Sequence, residues 1–486
     1  MQYENIGRHV GKRKPLAMWL AALSLQTATT AISAAASGLP IVNSAVTSCD
    51  DDGSPGTLRY AVLTANDGDT VDLSAMTCSH ITLQTGAINV SENNLTIVGA
   101  GAAKLTIDAN QAGRAFFHGG SGTLTLDDMT ISNGLRAADS ALGGCVYSKG
   151  NVSLSGATVS NCTAQGQTAA AGGGVFVAYN LTLVNSTLAD NVADAAVGAG
   201  AELSAAGGGA FVIQRITLLD SSVSGNLAQA ATGYARAGGL YVSQQFIAKY
   251  SSISGNTAAV QAFSPNNSSA FGGGVLAGFN NNLTVFTMSG CTVDHNRADA
   301  AGGLFFSGDN SHTLKIANST ISGNIANIGI GGVAAGGKLT LSNSTIAFNT
   351  AGDYGGGGLL AEGYTLDMES SIIADNSPSG SQFAADLDGG ATVSGHSNLV
   401  KIAGSMVSLP SDTIRLDPQL DVLQDNGGRT RTHALLSGSP AIDAGNNAAN
   451  LSTDQRSTNF PRVIGAKADI GAFEFNSDII FINGFN

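Results

Sequence analysis

The chain has 486 residues, 64 of them glycine and only 9 proline; at 43% hydrophobic it is too apolar for a disordered chain. With 35 acidic against 22 basic residues it carries a net charge of −13 and has no basic cluster beyond its N-terminal segment, which argues against nucleic acid as a partner. Length alone would allow three average domains, but a periodic sequence forms one long solenoid instead.

Residues 1–36 read as an export signal. Arg8, Lys12, Arg13 and Lys14 precede the apolar run Leu16–Leu25, and small residues end at Ala34, Ala35 and Ala36. The run falls short of the ~20 apolar residues that a membrane span needs. Later stretches are shorter still, so no transmembrane span is expected once the signal is removed. Cleavage near Ala36 leaves 18 basic and 34 acidic residues, a net charge of −16. All five cysteines then lie in the exported part, where an oxidising compartment favours Cys49 with Cys78 and Cys145 with Cys162. Cys291 is left over and reads as a buried small apolar residue.

Residues 37–110 read as an N-terminal cap with the first coils. Asp50, Asp51 and Asp52 precede Gly53 there; they read as a loop, with a calcium ion as the alternative, and no other cofactor is expected.

From 111 to 400 the chain repeats one phrase. NSTISGN at 318–324 recurs as NSTIAFN at 343–349 and NSTLADN at 185–191, and its last residue gives a row: Asn191, Asn226, Asn256, Asn296, Asn324, Asn349 and Asn376, spaced 25 to 40 residues apart. Gly134 and Cys162 hold the same place in two earlier units. After each Asn comes a variable stretch and then a glycine cluster opening a short apolar run, such as GGGVFVA at 172 or GGGAFVI at 207. Each unit is expected to hold three short strands: one after the glycines, an LTL segment and a TIS segment. Glycine clusters and β-branched runs argue against helices throughout.

One such unit cannot bury its apolar side alone. Stacking units at ~4.8 Å makes three parallel sheets around a continuous core, an all-β, right-handed parallel β-helix of about nine to eleven coils with a cap at each end. Leucine-rich horseshoes need a longer pattern that is not present. The Asn row is then structural. At a corner between sheets, Asn tolerates left-handed backbone angles and its carboxamide can bond the equivalent Asn one coil away. A glycan reading needs N-x-S/T, found at Asn94, Asn161, Asn180, Asn185, Asn282, Asn318 and Asn343, but the most regular Asn row mostly lacks it.

The stretches between Asn and glycine are long after Asn191, Asn226 and Asn256 and short thereafter. Inserts at one phase of a solenoid emerge on one face. Residues 192–206, 227–237 and 257–271 are therefore expected to form a lateral ridge carrying Tyr234, Arg236 and Phe263 toward a ligand, with partnerless loops of small residues as the alternative.

Residues 401–486 concentrate charge in otherwise uncharged surroundings, at Asp443, Asp454, Arg456, Asp469 and Glu474. A salt-bridged cap over the open end of the helix is the expectation, ahead of a catalytic or metal site. Asp294 and His295 read as solvated turn residues. No G-x-S-x-G, H-E-x-x-H, C-x-x-C, P-loop or G-x-G-x-x-G occurs.

The repeats resemble those of the pectin-lyase-like superfamily, right-handed β-helices that include polysaccharide lyases, polygalacturonases and surface proteins. SGHSNLV at 394, LQDNGGRTRTHALLSGSPAIDAGN at 423, TDQRSTNFPR at 453 and ADIGAFEF at 468 resemble the choice-of-anchor Q family, with Ser457 where that family usually has Gly. The resemblance implies a secreted protein or one on the outer surface of a Gram-negative cell, adhesive rather than catalytic, whose partner is an extracellular polysaccharide or a host or neighbouring cell surface. The alternative it implies is a carbohydrate-active lyase or hydrolase.

Overall fold

The computed structural model describes residues 43–196, 204–261, 269–278, 285–309, 311–352, 356–362, 364–378 and 386–476. The export signal, Phe263 and the tail from 477 onward lie outside these.

The chain winds as a parallel β-solenoid of about eleven coils, visible among the described residues as four long sheets of 13, 12, 12 and 11 strands in which each strand pairs with its copy one coil away. One coil shows the order. Val175–Val177 forms the post-glycine face, Asn180–Val184 the LTL face and Thr187–Ala189 the TIS face; Val192–Ala195 then leaves the barrel. Leu181, Leu183, Leu188, Val175 and Val177 point inward and are buried, and their counterparts in every coil form one continuous core. Because side chains alternate along a strand, a register slip of one residue would turn this whole apolar set outward.

Two features differ from the sequence expectation. The described parts of the variable stretches form a fourth sheet beyond the three expected, because their period-2 alanines (Ala193 and Ala195, Ala228 and Ala230) pack against one another, and side chains that small give little sign of a strand. One α-helix, Leu58–Leu63, occurs among the described residues. Thr57 caps it by accepting from the Tyr60 N–H, and Leu58, Ala61 and Val62 at i, i+3 and i+4 lie over the N-terminal end of the core.

At the other end Ala403, Val407 and Leu409 pack against the same core. The chain then turns back. Residues 410–476 lie along the outer flank of the TIS face as a strap, with Ala434, Leu435, Ala441, Ile470 and Phe473 packed on Ile372, Ala374 and Leu399. The charged C-terminal residues therefore cover a side of the solenoid, not its open end. That end is sealed by the apolar 403–409 segment, which a hydrophobic core requires and a charged cluster could not supply.

Candidate functional sites at the necks, the wing and the strap

Each coil narrows to a neck where the chain leaves the barrel beside the Asn row and re-enters through the glycines. The seven asparagines stack there. Nδ2 of Asn191 donates to Oδ1 of Asn226 at 2.9 Å, and Asn226 to Asn256, Asn256 to Asn296, Asn296 to Asn324, Asn324 to Asn349 and Asn349 to Asn376 follow at 2.8 to 2.9 Å. Each Oδ1 also accepts the main-chain N–H of the preceding Asn. Asp386 ends the row by accepting both donors of Asn376 at 3.0 Å, and burial holds its carboxyl above the ordinary range. The left-handed angle sits one residue earlier, at Asp190, Gly225, Gly255, His295, Gly323, Phe348 and Asp375, so the corner residue and the ladder residue are separate. A second ladder runs through the serine of the same phrase: the N–H of Ser186 bonds Ser221 Oγ, Ser221 bonds Ser251, Ser319 bonds Ser344 and Ser344 bonds Ser371. Cys291 takes a serine's place in it, fully buried, and its thiol is pushed up to about 12.

The glycine triplet fits the same neck. In GGGVFVA, Gly172 has φ +64°, a Cβ on Gly173 would strike the backbone of Val192, and one on Gly174 would sit 2.9 Å from the Asn191 carboxamide carbon. One coil earlier the third glycine and the asparagine are replaced together, by Cys145 and Cys162, which form a disulfide; Cys49 and Cys78 form the other. The Cys162 N–H starts the ladder by donating to Asn191 Oδ1 at 3.1 Å.

Beyond the necks the arms stack into a two-legged wing. Its outgoing legs pair from Thr163–Ala171 through Val192–Ala195, Leu227–Ala230 and Thr257–Val260; its returning legs pair through Ala205–Ala206, Tyr234–Arg236 and Ser269–Phe271. Tyr234 and Arg236 thus lie on one returning leg, half-buried, with the guanidinium 5.5 Å from the Tyr234 ring centre. The wing folds against a column of outward rings on the post-glycine face. Phe117, Tyr147, Phe176, Phe211 and Tyr241 stack at 4.4 to 5.4 Å, and the small Ala171 and Ala206 lie against them. This aromatic column, hidden in the period-2 pattern of VFV and AFV, was not singled out by sequence reasoning.

The strap has an ionic core. Arg456 pairs with Asp454 at 2.6 Å and is sandwiched by Phe460 and Phe473 at 4.0 and 3.8 Å; Arg462, which the sequence did not single out, pairs with Glu474 at 2.8 Å. Asp469 accepts from the N–H groups of Asp443 and Phe475, and burial raises its carboxyl to about 6. Asp443 accepts from the Lys467 N–H. These residues hold a turn-rich segment together by satisfying its backbone. The strap docks through Arg431, whose guanidinium meets the buried carboxylate of Asp294, and through Arg429, which meets Asp220. Asp294 is thus no solvated turn residue, because an arginine 137 positions away replaces its water. It also holds His295 Nδ1 at 2.6 Å, while that imidazole stays 60% exposed.

Near the N-terminus the acidic triplet does not converge. Asp51 is buried, with both oxygens bonded by Arg59 at 2.8 Å and one also by the Gln84 N–H, whereas Asp52 turns back to Ser54. No group of three or more His, Cys, Asp or Glu positioned to hold a metal occurs among the described residues.

The geometry defines a parallel β-solenoid with a lateral wing and a docked C-terminal strap. No family model and no curated protein matches the chain. Among solved structures, the crystal structure of pectate lyase Pel9A aligns with it at a TM-score of 0.41 and 14% identity, covering 90% of this chain and 98% of that chain. The fold stands on the strand registers themselves.

Proposed function

We propose that this chain is an exported, surface-associated scaffold that acts by binding through its lateral faces. The observation that carries this reading is the fate of the buried charged groups: Asp51, Asp294, Asp386, Asp454 and Glu474 are all taken up by Arg59, Arg431, Asn376, Arg456 and Arg462 in bonds that close turns or hold the strap. The two disulfides fit an oxidising compartment, and the resemblance of 394–475 to choice-of-anchor Q segments supports attachment at a cell surface. The ligand face is the wing, with Tyr234 and Arg236 near its neck, and the ligand class is an extracellular polysaccharide or a cell-surface polymer. Removing the wing's arm tips while keeping the necks should abolish retention on that polymer; unchanged retention refutes the assignment. Export predicts a mature chain beginning near residue 37 that lacks the single tryptophan, Trp19, and so shows tyrosine-only fluorescence.

One observation favours a second reading, a polysaccharide lyase or glycoside hydrolase. His295 is oriented by the buried Asp294 and exposed beside Arg431, a disposition suited to proton abstraction. A screen of polysaccharides for released unsaturated or reducing oligosaccharides decides between the two. Release that is lost in His295→Gln establishes the enzyme.

A further inference from the structure

The outward hydroxyls of the TIS face form one continuous column: Thr106, Thr130, Thr158, Thr187, Ser222, Ser252, Thr292, Thr320 and Thr345 are in register, each beside its neighbour on the next coil. The strap covers only its last third. There the segment Arg429–His433, with the sequence RTRTH, runs along the solenoid axis and crosses coil after coil. Arg429 meets Asp220, Thr430 Oγ1 donates to Gly290 O, Thr292 Oγ1 donates to Arg431 O at 2.6 Å, and His433 Nε2 lies 2.8 Å from Ser322 Oγ. The segment is thus held by one column hydroxyl, that of Thr292, by Gly290 O and Ser322 Oγ beside it, and by acids on the face and at its first corner, which receive its cations.

Those acids divide into two groups. Where the C-terminal segment lies, Asp220, Asp294 and Asp375 are paired with Arg429, Arg431 and Lys401. In the uncovered part, Asp128 sits in the corner row of Asp220, Asp190 in that of Asp375 and Asp108 in the strand row of Asp294, and no cation among the described residues pairs with any of the three. Thr130 Oγ1 donates to Ala102 O at 2.8 Å and Asp108 accepts from the Asn110 N–H and from Asn133 Nδ2, whereas Asp128 and Asp190 are exposed and the column from Thr158 to Ser252 is half-buried.

We propose that the uncovered column from Thr158 to Ser252, with Asp128 and Asp190, is a docking site for a polypeptide segment of a partner that alternates cationic and hydroxyl side chains, bound along the axis as RTRTH is bound. The proposal continues an interface the chain already makes with itself and uses the charge that interface leaves unmatched. It does not rest on the scaffold reading, since the flank and the wing are different faces and an enzyme with this strap would carry the same column.

The test uses the full mature chain and a fluorescent peptide of alternating Arg and Thr, with an alternating Glu and Thr peptide as its twin, read by anisotropy at low ionic strength. Wild-type protein should bind the basic peptide and not the acidic one. The triple variant Thr158→Lys, Thr187→Lys, Ser222→Lys should abolish binding, and Asp128→Asn with Asp190→Asn should weaken it about tenfold through loss of two exposed charge pairs. Asparagine tolerates the left-handed corners, so the second variant keeps the fold if the first does not. Absence of binding by wild type, equal binding of both peptides, or unchanged affinity in the Asp variant overturns the proposal. So does a neutral glucan whose retention is lost in the lysine variant while the peptide still binds, which would give the column to a sugar.

Discussion

Replacing Asn256 by alanine removes one rung from the middle of the Asn ladder. Its Oδ1 accepts from the Asn226 N–H at 3.1 Å and from Asn226 Nδ2 at 2.8 Å, and its Nδ2 donates to Asn296 Oδ1 and to Val223 O at 2.9 Å each. All three asparagines are wholly buried. The Asn226 N–H is then left without an acceptor, at a cost of about 1–3 kcal/mol, and three further bonds are lost at about 0.5–1.5 kcal/mol each, so the sum is about 2.5–7.5 kcal/mol. Asn180 makes the same kind of Asn–Asn bond to Asn151 at 2.8 Å, but on the half-exposed LTL face where water can replace it, so Asn180→Ala should cost under about 1 kcal/mol. Urea denaturation gives the totals. Because a solenoid can open locally between neighbouring coils, amide exchange at Asn226 gives the site-specific reading, and it should accelerate in the Asn256 variant alone. If both variants lose the same amount and the Asn226 amide stays protected, the ladder does not hold the necks.

Other expectations follow from the same contacts. Cys145→Ser with Cys162→Ser opens a link spanning 17 residues and should lower stability by about 3 kcal/mol, measured by denaturation without reductant. Arg462→Ala leaves the Glu474 carboxylate buried and uncompensated, costing about 3–5 kcal/mol; limited proteolysis should then cut within 410–476 while the coils stay resistant. His433 is nearly fully buried between Ser322 Oγ and Asp421 O, and burial lowers its pKa; its contribution is present above about pH 6.5 and is lost as pH falls through the lowered value. Asp469, raised to about 6, acts in the opposite sense, its contribution being full below the ordinary carboxylate value and lost as pH rises through about 6. His433→Gln should therefore flatten the acid side of the strap's stability profile, and an unchanged profile would refute the assignment. Cys291 should resist thiol reagents at neutral pH in the native chain and react once on denaturation.

The repeat was legible because every coil solves the same local problem. NSTISGN is a corner, a strand and a second corner: Asn318 and Gly323 take left-handed angles, Thr320–Ser322 is the strand, and Ser319 and Asn324 are the two ladder residues. Such a phrase must recur wherever the chain turns, so composition and spacing expose the solenoid. The fourth sheet escaped notice because alanine legs packed on each other leave no amphipathic trace. The strap's docking partners escaped for another reason. Arg431 and Asp294 are 137 residues apart, and neither carries any local sign of the other.

By itself the sequence determined the coil and its parallel stacking, because nearest-neighbour contacts between like segments leave a period in the chain; the cysteines were paired only by their closeness along it. Tertiary structure alone decided that the charged C-terminal segment lies along the TIS flank, that Asp294 is buried beneath it, and which part of the hydroxyl column is left open. Those are single long-range contacts made once, and a contact made once leaves no repeat from which to read it.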